Sequence, residues 1–290
     1  MSPEPLPVAV LGGSGLVGPP LLSCLHARQQ PVIAYSRTRH EGPDAGVVWR
    51  LSSVLGAAGT EPIAVWFCLA PIWVLPDYFE AVRRSGARRI VALSSTSRYT
   101  KLDSSDSAER DIVKRLIDGE QALIAWAERH GVEWVILRST LIYGYGRDRN
   151  VGAVAAFIRR FGFFPLLGKA CGLRQPLHAE DLARAMVAAA WSKCAANRSY
   201  TLSGSETLTY RAMVERIFTM MGRRPRLPSV PFWMFRVAVA VWRAVQPRST
   251  VSIGMAERMN ADMVFDHDDA VRDFGFASRA FSPTQEDLSG

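Results

Sequence analysis

The stretch AVLGGSGLVG, residues 9–18, places Gly12, Gly15 and Gly18 three positions apart behind a short apolar run. It continues into PPLLSCLHAR (19–28), so the order reads strand, glycine turn, helix. In that setting each glycine has its own task. The first lets the chain turn sharply, the second lets the backbone approach a pyrophosphate, and the third lets helix and strand pack closely. N–H groups at the helix N-terminus then face the phosphates. Gly12, Ser14, Gly15, Leu16, Val17 and Gly18 are therefore expected to hold a dinucleotide. The competing reading is a glycine-rich bend with a structural role only, and the downstream pattern argues against it.

That pattern alternates strands and helices for about 140 residues. PVIAYSR (31–37), VVWRL (47–51), EPIAVWFCLA (61–70), ARRIVALSS (87–95) and VEWVILR (132–138) read as strands. The helices are LPDYFEAVRRSG (75–86) and the long amphipathic segment 107–131. Such alternation predicts an α/β fold, a Rossmann-type doubly wound parallel sheet. The core is expected over residues 5–146, with 176–204 completing it through a strand at 199–204. A smaller, mostly C-terminal substrate lobe is expected from 147–175 and 205–290.

The chain has 290 residues, 48% of them hydrophobic and 21% charged, as in an ordinary globular protein. Its four cysteines, Cys24, Cys68, Cys171 and Cys194, show no metal-ligand spacing and read as reduced thiols of a cytoplasmic protein. MSPEPLPVAVLGG lacks an export-type N-terminus. No metal site is expected. The net charge of +8 suits phosphate-bearing ligands. Without an accompanying nucleic-acid motif it does not point to DNA or RNA.

The second strand ends in Ser36 and Arg37, with no carboxylate where one would bind the ribose 2′-OH of NAD. A hydroxyl and a guanidinium fork suit a 2′-phosphate instead. The expected cofactor is NADP, with NAD second.

Four segments together resemble the extended, or atypical, short-chain dehydrogenase/reductase superfamily of the NAD(P)-dependent epimerase/dehydratase type. They are GGSGLVG (12–18), VALSSTSRY (91–99), VILRSTLIYGYG (135–146) and LRQPLHAEDLARAM (173–186). The resemblance implies an oxidoreductase or epimerase acting on a hydroxyl or carbonyl of a phosphorylated, nucleotide- or lipid-linked sugar. It assigns Leu69, Ala70, Ser94, Ser139, Thr140 and Ile142 to the cofactor. It gives Ser95 or Thr96 the reacting oxygen, and Tyr143 and Arg174 the substrate. The family's Tyr-x-x-x-Lys pair, however, occurs nowhere in the chain. Aligning on Glu120 puts Ile112 and Leu116 in those slots. With slippage, Arg110 and Lys114 share a helix face, and Tyr99, Tyr143 or Tyr145 could bring a phenol from another direction. Tyr99 and Lys114 stand as the catalytic candidates beside Ser95 and Thr96. The missing pair keeps a second class open: a non-catalytic NADP-binding redox sensor or assembly protein. His178 and Asp181 read as structural, with Asp181 starting the helix that follows.

VPFWMFRVAVAVWRAV (230–245) is the most apolar stretch, too short for a span of about 20 residues. Two uses stay open for it. One is a peripheral membrane helix. The other, preferred on length and pattern, is a helix closing the substrate lobe or a homodimer interface.

Overall fold

The computed structural model describes residues 6–39, 46–55, 61–102, 104, 106–231 and 258–289. Its strands, in chain order, begin with β1 (Val8–Leu11), β2 (Val32–Ser36), β3 (Val47–Leu51), β4 (Val65–Cys68), β5 (Arg89–Ser95) and β6 (Glu133–Ser139). Four two-residue strands follow, β7 (Ile142–Tyr143), β8 (Leu166–Leu167), β9 (Leu173–Arg174) and β10 (Leu177–His178). The last are β11 (Arg198–Leu202), β12 (Leu208–Thr209) and β13 (Ser229–Val230). The principal helices are α1 (Gly18–Ala27), α2 (Phe79–Arg84), α3 (Ser97–Thr100), α4 (Ser107–His130), α5 (Val151–Phe161), α6 (Ala179–Trp191) and α7 (Tyr210–Met220).

Seven strands form one parallel sheet in the order β11-β6-β5-β4-β1-β2-β3. Both faces are covered, which is why β1 is apolar at every position. Val8 and Val10 pack on the side of α1 and α6, with Leu21, Leu25 and Met186. Ala9 and Leu11 face the other way, toward Leu116 and Leu123 of α4. The chain order reverses between β1 and β4. The crevice outside the carboxyl ends at such a point is where doubly wound sheets take their ligands.

The C-terminal lobe has its own core, in which α5 (Val154, Ile158) meets α7 (Met213, Ile217) and Phe281. Three small pairings, β7 with β10, β9 with β12 and β8 with β13, tie the lobe's loops together.

Several boundaries differ from the sequence expectation. The helix expected over 75–86 opens as a 3-10 segment, Ile72–Tyr78, and becomes α only from Phe79. Pro76 lies inside that segment; it has no N–H to give and disfavours α geometry in the residue before it. Asp181 does not start α6. The cap is His178, whose Nδ1 accepts the Glu180 N–H, and Asp181 is buried within the first turn. Two short helices, Asp268–Phe274 and Gln285–Leu288, have no counterpart in the sequence reading. Of the apolar stretch 230–245, Val230 belongs to β13, while 232–245 lie outside the described residues. Among the described residues no helix is long and apolar enough to cross a membrane.

Candidate active site

The glycine turn is held by contacts that leave no room for side chains at two of its three positions. Gly12 has φ +85, and a Cβ there would lie 2.6 Å from the Ala70 nitrogen. The N–H groups of Leu69 and Ala70 both donate to the Leu11 carbonyl, at 2.8 and 3.2 Å, which draws the end of β4 beneath the turn. A Cβ on Gly18 would sit 1.7 Å from the Gly13 carbonyl oxygen. Gly15 is different, because a Cβ there meets nothing nearer than 3.4 Å. The protein itself therefore requires Gly12 and Gly18, whereas at Gly15 it keeps a space.

Donors line that space. The Gly15 and Gly18 N–H groups are used within the turn, on Gly12 and Gly15 carbonyls at 3.1 Å each. Pro19 and Pro20 have none. Leu16 and Val17 N–H groups have no hydrogen-bond partner among the described residues. α1 carries neither a side-chain cap nor an acidic residue in its first turn. Unpaired N–H groups at an uncapped helix N-terminus suit an anion, so a dinucleotide diphosphate fits here. At the end of β2, the buried Ser36 hydroxyl lies 3.5 Å from both Ser14 Oγ and Thr38 Oγ1 and accepts the Thr38 N–H, while Arg37 is exposed.

Beside the turn opens a cavity of about 770 Å³. The ends of β5 and β6 bring Ser94, Ser95, Thr96, Ser139, Thr140 and Ile142 to its wall, together with Leu16, Arg174 and Tyr210. The hydroxyls are not equivalent. Ser94 donates to Glu120 at 2.6 Å, Thr96 to the Ser139 carbonyl at 3.1 Å, and Thr140 to the Gln175 carbonyl at 2.6 Å. Ser95 instead accepts the Ser97 N–H at 3.1 Å and so keeps its own proton for another acceptor.

Two expected residues stand elsewhere. Lys114 points outward on α4, its side chain 75% exposed and paired with Asp118. Tyr143 is fully buried, its ring edge-on to His178 and Phe281 in the C-terminal core. Burial pushes its phenol well above the usual range. Tyr99 is half exposed; its oxygen accepts from Arg138 at 2.8 Å and its ring lies against the cavity residue Phe265. Ile112 is solvent-exposed and Leu116 is buried in the sheet–helix core. Neither a phenol nor an ammonium thus occupies the slots counted back from Glu120. What surrounds Glu120 is a buried ionic cluster, with Arg98 and Arg138 both paired to its carboxylate beneath Ser94.

The cavity is rich in cations, several of which the sequence pattern did not single out. Lys101, Arg147, Arg149 and Arg258 line it with Arg174. Lys101, Arg147 and Arg149 lie in loops and turns, where hydrophobic periodicity gives no placement, and Arg258 opens the described helical residues 258–260. Lys101 and Arg258 share Glu109. Arg147 reaches across to the Ser14 carbonyl at 3.3 Å, joining the lobe to the glycine turn. Arg174 is 4% exposed and, among the described residues, bonds only to main-chain carbonyls, those of Leu173, Ala261 and Arg258, while its guanidinium lies over the Tyr210 ring. Desolvation pulls its pKa down and pushes the Tyr210 phenol up to about 12. Asp148 is the lining carboxylate. Burial raises its pKa, against N–H groups of Asn150 and Gly152 that favour the charged form. No cluster of three or more metal-ligating side chains occurs among the described residues.

A second buried network locks the C-terminal end to the site's scaffold. Asp287 accepts from His178 and from the Tyr145 and Thr284 N–H groups at 3.1, 3.1 and 2.8 Å. Burial works against its charge, yet these bonds prevail and hold the carboxyl well below the usual carboxylate range. A depressed folded pKa stabilises the fold fully above the unfolded value of about 4, and that stabilisation is lost as pH falls through the folded value. Asp287→Asn is therefore expected to lower stability by on the order of 2 kcal/mol at neutral pH. The gap from wild type should narrow in urea titrations carried out below about pH 4. A gap that stays constant with pH would show that the charge is not what stabilises.

Residues 77–203 match the model of the NAD dependent epimerase/dehydratase family. Solved structures of epimerases share the fold over nearly the whole chain. An epimerase from Methanothermobacter thermautotrophicus is 16% identical with a TM-score of 0.76, covering 98% of this chain and 90% of its own. The UDP-glucuronic acid 4-epimerase of Bacillus cereus, in complex with UDP-glucuronic acid and NAD, is 14% identical with a TM-score of 0.71 and 95% coverage of each chain. By sequence, the chain is 30% identical over 101 residues to the Arabidopsis thaliana protein NADH dehydrogenase (ubiquinone) 1 alpha subcomplex subunit 9, mitochondrial. That match takes in 34% of this chain and 25% of the relative. An uncharacterized protein of Sinorhizobium fredii is 27% identical over 157 residues, 52% of this chain and 38% of its own. The chain thus spans well under half the length of the curated relatives it matches.

Proposed function

We propose that this protein holds a nicotinamide dinucleotide, NADP in preference to NAD, and acts on a hydroxyl or carbonyl of a phosphorylated, nucleotide- or lipid-linked sugar. Arg174 carries the substrate half of this reading. Among the described residues this buried guanidinium lines the cavity and hydrogen-bonds to carbonyls, with Asp262 acting on it only through its charge, and a phosphate would supply a bidentate partner. Leu16 and Val17 N–H groups would take the cofactor diphosphate over Gly15, and Ser36 with Arg37 the 2′-phosphate. The bound cofactor supplies hydride transfer at its nicotinamide ring. Ser95 offers the free O–H of the β5 end to the substrate oxygen, with Thr96 beside it. Lys101, Arg149 and Arg258 add positive charge along the cavity wall.

One observation favours the second reading, a cofactor-binding protein without turnover that serves as a redox sensor or assembly subunit. Leu116 is buried and Lys114 faces solvent, so no lysine stands where the family's would. One relative carries the name of a subunit of NADH dehydrogenase, which supports the reading as a subunit.

Calorimetric titration with NADPH and NADH, followed by NMR of nucleotide sugars incubated with the loaded protein, separates the two. The enzyme reading expects tighter NADPH binding, conversion of a UDP- or dTDP-sugar, and loss of that conversion in Ser95→Ala. Arg174→Met should weaken sugar-nucleotide binding roughly 30-fold, as loss of a charged hydrogen-bonded fork does, with NADPH affinity kept. NADPH binding with no sugar nucleotide bound or converted selects the accessory role. NADH binding as tightly as NADPH removes the assignment to Ser36 and Arg37.

A further inference from the structure

The outer edge of the C-terminal lobe carries a feature that the cleft does not use. At the end of α5 the rings of Phe161 and Phe163 stand 51% and 38% exposed, 6.4 Å apart. Phe157 braces both, at 4.6 and 5.8 Å, and the buried Phe164 anchors the group. Gly162, with φ +74, turns the chain so that the two exposed rings share one face. Clustered exposed aromatics are costly in water and mark a surface that meets something else.

The charge around them says what. Residues 149–179 contain no aspartate or glutamate, and neither do residues 216–230. The fold lays these two segments side by side: Phe164 N–H donates to the Arg226 carbonyl, Leu166 to Pro228, and β8 pairs with β13. Arg160 stacks on the Phe161 ring at 5.3 Å, and Arg223 bonds the Ile158 carbonyl at the end of α5. Exposed Arg224 and Arg226 continue the rim. A second copy of this chain would bring a like set of arginines against the first, so an isologous dimer through this face is disfavoured. Two aromatic rings flanked by two arginine-bearing segments that contain no carboxylate match an anionic lipid surface, with rings at the headgroup level and guanidinium groups on phosphates.

We propose that the Phe161–Phe163 face docks this protein onto an anionic membrane surface. The Phe161 and Phe163 rings lie outside the cofactor cleft, among whose lining residues they do not figure.

The test is co-sedimentation of the full chain with vesicles of phosphatidylglycerol and phosphatidylcholine, against phosphatidylcholine alone, at low and high salt. Wild type is expected to pellet with the anionic vesicles and to be released by salt. Phe161→Ser/Phe163→Ser should lose roughly tenfold in partitioning, since both rings leave the interface. Arg223→Gln/Arg224→Gln should lose about fivefold per arginine at low salt. Unchanged NADPH binding and melting temperature confirm that both variants are folded. Three results overturn the proposal. The first is wild type remaining in the supernatant at low salt. The second is a phenylalanine double variant that binds as wild type does, which would place attachment elsewhere in the chain. The third is a short RNA duplex that binds through these arginines while vesicles do not.

Discussion

Gly18→Ala is expected to cost the fold about 4 kcal/mol or more, a fall in melting temperature of roughly 10 °C. The new Cβ would sit 1.7 Å from the Gly13 carbonyl oxygen, and both partners are backbone, so neither can rotate away. Gly15→Val should behave in the opposite way. Its side chain enters space where an added Cβ meets nothing closer than 3.4 Å, so stability should change by no more than about 0.5 kcal/mol. Dinucleotide affinity should instead fall roughly 100-fold, because the branched chain fills the approach to the Leu16 and Val17 N–H groups. Melting curves and NADPH titrations of the two variants check both halves. A Gly15→Val protein that binds NADPH normally would remove the turn from the cofactor site.

The second large effect is expected at Glu120. Its side chain is 1% exposed, whereas those of Arg98 and Arg138 keep 21% and 13%. Glu120→Ala leaves two guanidinium groups facing each other over the Ser94 hydroxyl without their shared carboxylate. Removing one member of a buried pair costs about 3–5 kcal/mol, and the residual solvation of the arginines puts this case near the lower figure. Chemical denaturation should show that loss, with Glu120→Gln losing less because the amide still accepts hydrogen bonds. The consequence reaches the cavity wall, since Arg138 also donates to the Tyr99 phenol and Ser94 loses its acceptor. A loss below about 1 kcal/mol would mean that water compensates the arginines and that the cluster contributes little.

Much of the architecture could be read directly from the chain. β1 and β2 are apolar because both sheet faces are covered, and the change from strand to helix spacing after Gly18 announces the turn. The same local signals misplaced the start of the helix near Pro76, where one missing N–H delays the α geometry to Phe79. His178 was legible as structural, and its capping of α6 needed only the neighbouring residues. Its bond to Asp287 was not legible, because that partner lies 109 positions along the chain.

The candidate site divides in the same way. Gly12, Gly15, Gly18, Ser95 and Thr96 are placed by short-range rules, in which a strand end and a turn fix where a side chain must go. Lys101, Arg147 and Arg149 come from loops and Arg258 from a helical turn at 258–260, and their meeting in one cavity is set by how the lobe packs on the sheet. The exposure of Lys114 and the burial of Tyr143 are likewise decided by which helix face or strand end meets a core. The sequence by itself determined the doubly wound sheet and the tight glycine turn after β1, because backbone sterics and hydrophobic periodicity act between near neighbours. Only the tertiary structure decided which charges meet, because electrostatic partnership depends on distance in space, and residues 149–179 and 216–230 become one basic aromatic face only when β8 pairs with β13.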